Sequence, residues 1–150
     1  MSPTDPIVIC AARRTPLGAF MGALAPIPAP LLGATALRAA MADAGLGPTD
    51  ATEVLMGCVL PAGQGQAPAR QAARAAGLDD AVGATTINKV CGSGMKAIMT
   101  AADLLTLERA EIVVAGGMES MSRAGQARRP QGGQRRADRS HDVRRPRSRR

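Results

Sequence analysis

The sequence predicts an α/β domain, a mostly parallel sheet with flanking helices. Three observations carry that reading. Short β-branched apolar runs alternate four times with stretches of helical character. The connections between them are short and rich in glycine and proline. The apolar runs are continuous, as expected of strands covered on both faces.

The elements follow in order. Ile7-Val8-Ile9-Cys10-Ala11 is short, apolar and β-branched, and predicts a buried strand. Arg13-Arg14-Thr15-Pro16-Leu17-Gly18 ends it with turn chemistry. Residues 24–30, Leu-Ala-Pro-Ile-Pro-Ala-Pro, predict an extended connector, because proline inside a helix lacks a donor and clashes with the preceding turn. Residues 31–44 predict a helix. Leu37, Ala40, Met41 and Ala44 recur at helical spacing, and Gly45 supplies the stop.

Residues 53–60, Glu-Val-Leu-Met-Gly-Cys-Val-Leu, predict a second buried strand. Pro61, Gly63 and Gly65 make the loop after it. Residues 68–76 predict a helix, with proline in the first turn and Gly77 beyond the end. Residues 84–87 predict a third strand, 94–107 a third helix, and 112–115 a fourth strand ending at Gly116-Gly117.

The third helix is unusual in composition. Its charged residues are Lys96 and Asp103, while Met95, Ile98, Met99, Leu104, Leu105 and Leu107 spread around much of its circumference. A surface helix has one polar face. This one is expected to lie between two layers, and the predicted elements are too few to cover it.

Composition divides the chain. Residues 1–124 carry 9 Lys+Arg and 10 Asp+Glu, whereas residues 125–150 carry 10 Arg and 2 Asp. The basic pI therefore belongs to the tail. That tail has a single strongly apolar residue, Val143, and is predicted to be disordered. Its arginines give non-specific, salt-sensitive attraction to phosphate. The alternative reading of the chain is accordingly a non-enzymatic basic binder of nucleic acid or anionic surfaces. The tail has no aromatics for stacking and no helical period, which points to a solvated charge run and away from a nucleic-acid partner.

Three cysteines do not make a secreted disulfide framework. Cys10 and Cys58, in strand-like runs, are expected to be small buried hydrophobes. The first residues show no basic-then-apolar leader, and no apolar stretch approaches a bilayer span. A cytoplasmic, reducing environment without a membrane is the expectation.

Cys91 stands apart. It follows the third strand and precedes the third helix, beyond the carboxyl end of a strand, where parallel sheets bind ligands. A thiol there feels the positive end of the helix and nearby free N–H groups, which favour the thiolate. Gly92 and Gly94 allow a substrate to approach the backbone closely. The N–H groups can also hold an oxyanion at an attacked carbonyl. The constellation suits attack on a thioester through an acyl-cysteine intermediate. Other glycine-rich readings fail. Gly63-Gln64-Gly65-Gln66-Ala67-Pro68 places proline where a dinucleotide fingerprint needs its third glycine, and Gly92-Ser93-Gly94-Met95-Lys96 lacks a P-loop ending. The cysteine spacing gives no zinc pattern.

Asn88-Lys89-Val90-Cys91-Gly92-Ser93-Gly94-Met95-Lys96-Ala97 resembles the acyl-enzyme segment of thiolases, particularly acetyl-CoA acetyltransferases. Residues 12–18 are similar to the family's first strand and turn, apart from a doubled arginine. Residues 27–36, 57–60, 68–72 and 114–122 are similar stretches in the right order. The resemblance implies the N-terminal half of a thiolase-like fold over residues 1–124, incomplete, with a tail at 125–150 that is not thiolase-like. It implies an acyltransferase with Cys91 as the catalytic nucleophile. Two acetyl-CoA would condense to acetoacetyl-CoA, or a 3-ketoacyl-CoA would undergo thiolysis. No bound cofactor or metal is implied; acetyl-CoA or another acyl-CoA is the substrate. Intact members form homodimers or homotetramers, an assembly not carried over to this chain. The family's second α/β half, with its activating histidine and second cysteine, has no match here, and the surroundings of His141 resemble no thiolase segment. The chain alone is therefore expected to be inactive in condensation.

Overall fold

The computed structural model describes residues 6–124. The tail at 125–150, with His141, lies outside the described residues. In chain order the elements are α1 (Ala29–Asp43), β1 (Glu53–Gly57), α2 (Pro68–Ala76), β2 (Gly83–Ile87), α3 (Ser93–Thr106), β3 (Val113–Gly117) and α4 (Met121–Ala124). The strands form one parallel sheet in the order β2-β1-β3. Gly57 is level with Ile87 on one side and Gly117 on the other, so all three strands finish at one edge.

Period-two geometry sorts the residues of the central strand. Val54 and Met56 point to the layer formed by α1 and α2, where Leu37, Met41, Ala69, Ala72 and Ala73 are also buried. Leu55 points to the other face and packs with Ala97 and Ala101 of α3. A strand covered on both sides needs no polar alternation, which is why 53–57 reads as a continuous apolar run.

Several boundaries differ from expectation for local reasons. Helix α1 starts at Ala29, inside the expected connector, with Pro30 in its first turn. The first turn has no intrahelical partner for that N–H, so proline costs nothing there. Strand β1 ends at Gly57, not at residue 60, and β3 runs on through Gly116-Gly117. Helix α4 has no counterpart in the sequence reading.

The expected strand at residues 7–11 does not form, and the sheet has three strands, not four. Val8 and Ile9 are 66% and 84% exposed. Cys10 is exposed too, which corrects its expected burial. The reason is pairing. Strand preference measures the fit of a side chain to a paired, packed surface. Among the described residues, neither sheet edge takes up this segment.

Helix α3 lies very close to the sheet. A Cβ built on Gly57 would stand 2.6 Å from the Gly94 nitrogen and 2.6 Å from the Ser93 carbonyl carbon. One on Gly117 would stand 3.3 Å from the Gly94 Cα. The helix presents Ser93, Ala97 and Ala101 to this seat, all buried. Met95, Ile98 and Met99 are left exposed on its outer side, in line with the shortage of covering elements expected from the sequence. Among the described residues, no helix is long and apolar enough to cross a membrane.

The seat makes a discriminating pair of substitutions. Gly57→Ala puts a methyl against backbone that cannot yield, and should cost about 3 kcal/mol, as overpacking of a closed core does. Gly94→Ala meets nothing closer than 3.6 Å. It should therefore leave the urea midpoint within about 1 kcal/mol of the unchanged chain. Equal loss in both variants would show that the close seat does not govern stability.

Candidate active site

The site is built where the three strands end. Beyond β2 the chain makes a tight turn, Asn88-Lys89-Val90-Cys91-Gly92, and enters α3. Val90 has φ +47°, a left-handed conformation that is unusual for a β-branched residue. Four hydrogen bonds close the turn. The N–H of Gly92 donates to the Lys89 carbonyl at 3.0 Å, and the N–H of Ser93 to the Val90 carbonyl at 3.1 Å. The buried Ser93 hydroxyl donates to the Val90 carbonyl at 2.6 Å and accepts from the Lys89 N–H at 2.8 Å.

Asn88 ties this turn to the neighbouring strand. Its Oδ1 accepts the Val90 N–H at 3.0 Å, and its Nδ2 donates to the Val59 carbonyl at 3.2 Å. Val59 follows β1 and is held in its turn from β3. The Glu119 carboxylate accepts the Val59 N–H at 2.7 Å and the Leu60 N–H at 3.3 Å.

Cys91 is exposed at this turn. The backbone N–H groups of Cys91, Gly94 and Met95 make no hydrogen bond among the described residues. Cys91 and Gly94 line an open cleft of about 950 Å³, together with Leu17, Phe20, Leu60 and Gly117. Arg13 and Arg14 also line it, and Arg13 pairs with Asp43. The thiol thus stands beside apolar walls, with backbone donors at the start of a helix.

Cys58 is a different kind of cysteine. It is 1% exposed, as its sequence context predicts. Its Sγ lies 3.9 Å from both Gln64 Oε1 and Glu119 Oε1. Burial, and then the negative charge of Glu119, push the thiol above its ordinary value of 9.0. The glycine-rich loop before α2 is occupied by its own chain. Gln71 Nε2 donates to the Gln64 and Gln66 carbonyls, each at 2.7 Å, and the Ala69 N–H donates to Thr86 Oγ1 at 3.0 Å. Among the described residues, no group of three His, Cys, Asp or Glu could hold a metal ion.

Sequence reasoning located Cys91 and the glycines but did not weigh Asn88, Ser93 or Glu119. Asn88 two residues before Val90 carries a local signal, since Asn readily bonds a backbone N–H two positions on. The left-handed Val90 carries none, because its residue type argues against that conformation. Nor does the pairing of Glu119 with residues 59 and 60, which depends on strand order.

Residues 7–145 match the family model for the thiolase N-terminal domain. The chain is 58% identical over 118 residues to an acetyl-CoA acetyltransferase of Cupriavidus necator, covering 79% of this chain and 30% of that one. It is 54% identical over 116 residues to a mitochondrial acetyl-CoA acetyltransferase of Xenopus tropicalis, covering 77% and 28%. A thiolase of Ascaris suum, solved in complex with coenzyme A, superimposes with a TM-score of 0.76 at 40% identity. That match covers 77% of this chain and 30% of the other. The chain thus spans about three-tenths of the length of these relatives.

The raised Cys58 thiol has a consequence for stability. A raised folded-state value means that folding favours the protonated thiol. That contribution is complete below the unfolded value near 9.0 and is lost as pH rises through and above it. Urea midpoints should therefore fall more steeply on the alkaline side in the unchanged chain than in Cys58→Ala. Parallel pH dependence in the two would show that the buried thiol contributes nothing.

Proposed function

The chain belongs to the thiolase family, and we propose that within it Cys91 is the residue that accepts an acyl group from acyl-CoA. The observation that carries this is the exposed Cys91 thiol at the strand-to-helix turn, beside a cleft and next to backbone donors without partners. In this reading the Cys91 thiolate attacks the thioester carbonyl of acetyl-CoA. A new C–S bond forms to Cys91, the C–S bond to coenzyme A breaks, and the departing coenzyme A thiolate takes up the proton that the Cys91 thiol gave up on ionising. The N–H groups at the start of α3 face the charge that develops on the carbonyl oxygen. A second acetyl-CoA, deprotonated at its α-carbon, then attacks the acyl-cysteine and releases acetoacetyl-CoA and the thiol. Thiolysis of a 3-ketoacyl-CoA is the same path reversed.

Gly94 and Gly117 support this reading, because they line the cleft beside Cys91 without side chains, where a bulky thioester can approach the backbone. The cleft volume is of the size that binds a small organic ligand, roughly 300–1,000 Å³. Acyl-CoA is a substrate here, and no further cofactor is needed for the chemistry described. Exposed free thiols at Cys10 and Cys91 suit a reducing compartment such as the cytoplasm.

Proton handling separates the two half-reactions. The sequence has one histidine, His141, outside the described residues. Acylation needs only the thiolate, whereas condensation needs a base for the α-carbon. Chains incubated with acetyl-CoA should gain one acetyl group, mapped by peptide mass spectrometry to Cys91 and absent from Cys91→Ala. The same preparation should show no measurable cleavage of acetoacetyl-CoA by loss of its enolate absorbance. Acetylation of Cys10 at an equal rate would sink the assignment to Cys91, and normal thiolysis would overturn the separation of the half-reactions.

A further inference from the structure

We infer that Asn88 and Ser93 are positioning residues that hold Val90 in its left-handed conformation and so fix where the Cys91 thiol stands in the cleft. The inference rests on the reading of Cys91 as the acyl-carrying thiol. A β-branched residue at φ +47° is strained, and such a conformation persists only where its surroundings over-determine it. Here they do so from both sides of one residue, on the two peptide groups that flank the Val90 Cα. The Val90 N–H is taken by Asn88 Oδ1 at 3.0 Å. The Val90 carbonyl accepts both the Ser93 hydroxyl at 2.6 Å and the Ser93 N–H at 3.1 Å.

Each holder is itself anchored to the frame. Asn88 Nδ2 reaches across to the Val59 carbonyl at 3.2 Å, beyond the end of β1. Ser93, the first residue of α3, is buried at 3% exposure and also accepts the Lys89 N–H. Val90 itself is 65% exposed, so packing of its side chain does not hold the conformation. If φ at Val90 returned to the ordinary range, the next residue would be redirected, and Cys91 is the next residue. The strain thus sits immediately before the group whose direction matters.

The test compares two reactions of the 150-residue chain at Cys91. Iodoacetamide needs only an accessible thiol; acetyl-CoA needs a thiol presented beside the cleft. Asn88→Ala and Ser93→Ala should each slow acetylation of Cys91 by about tenfold, the scale of a released backbone strain. Alkylation of Cys91 relative to exposed Cys10 should change less than about twofold in the same variants, since exposure is retained. Adding Val90→Gly should restore most of the acetylation rate, because glycine adopts positive φ without help.

Buried Cys58 reports folding in every sample, since it is alkylated only if the chain opens. Where Asn88→Ala exposes Cys58, Asn88→Asp carries the test. It keeps the acceptor for the Val90 N–H while giving up the donor to the Val59 carbonyl, and its acetylation rate should stay within about threefold of the unchanged chain; a roughly tenfold loss overturns this inference alone. An unchanged chain that takes no acetyl group overturns the reading of Cys91 and this inference with it. An unchanged chain that is acetylated, with Asn88→Ala equally fast or Val90→Gly giving no rescue, overturns this inference alone.

Discussion

The close seat of α3 on the ends of β1 and β3 is the constraint on which the rest of the structure depends. Gly57 and Gly117 are level in the sheet, and both leave room for the backbone of Gly94. Any side chain at 57 would claim the space of Ser93 and Gly94. The turn that carries Cys91 is joined directly to this helix, so the seat also sets the height of the thiol above the sheet. Absence of a side chain at Gly57, and to a lesser degree at Gly117, therefore lets the helix dock.

The same seat explains the composition of α3. A helix so close to a sheet must turn small residues inward, and it does so with Ser93, Ala97 and Ala101. Its large apolar residues are then forced to its other sides, where Met95, Ile98 and Met99 are exposed. The inner face is buried, and it is small because two backbones meet there. A helix with that requirement cannot show a simple division into an apolar and a polar face.

Polar groups link the strand ends across the sheet. Glu119 after β3 holds the segment after β1, and that segment accepts Asn88 from the turn after β2. Each contact satisfies backbone groups that leave the ladder where the strands stop, so the network answers a general need for paired backbone polar groups. It also places a carboxylate beside Cys58, which adds to the burial that raises that thiol, while Cys91 stands in the open. Two cysteines of one sheet thereby have opposite characters, one sealed in the layer under α1 and α2 and one presented at the edge.

Much of this was legible in the sequence, and the part that was not has a physical cause. Local chemistry announced α1, α2 and α3, because helical period, proline in a first turn and a terminal glycine act within a few residues. Three strands were legible from their β-branched runs, and Cys91 from its place between a strand and a glycine-opened helix. The segment at residues 7–11 carries the same signal as those strands and yet pairs with nothing among the described residues, because a strand exists only with a neighbour. The left-handed Val90 runs against its own residue type and is held by Asn88 and Ser93. The reach of Glu119 to Val59 spans 60 positions and required the strand order β2-β1-β3 to bring its ends together. The sequence by itself determined α1, α2, α3 and the three paired strands, and that Cys91 lies between a strand and a helix, because those follow from near neighbours. Only the tertiary structure decided how closely α3 docks and how the Cys91 turn is tied to the end of β1, because Gly57 with Gly94 and Asn88 with Val59 are contacts between residues far apart in the chain.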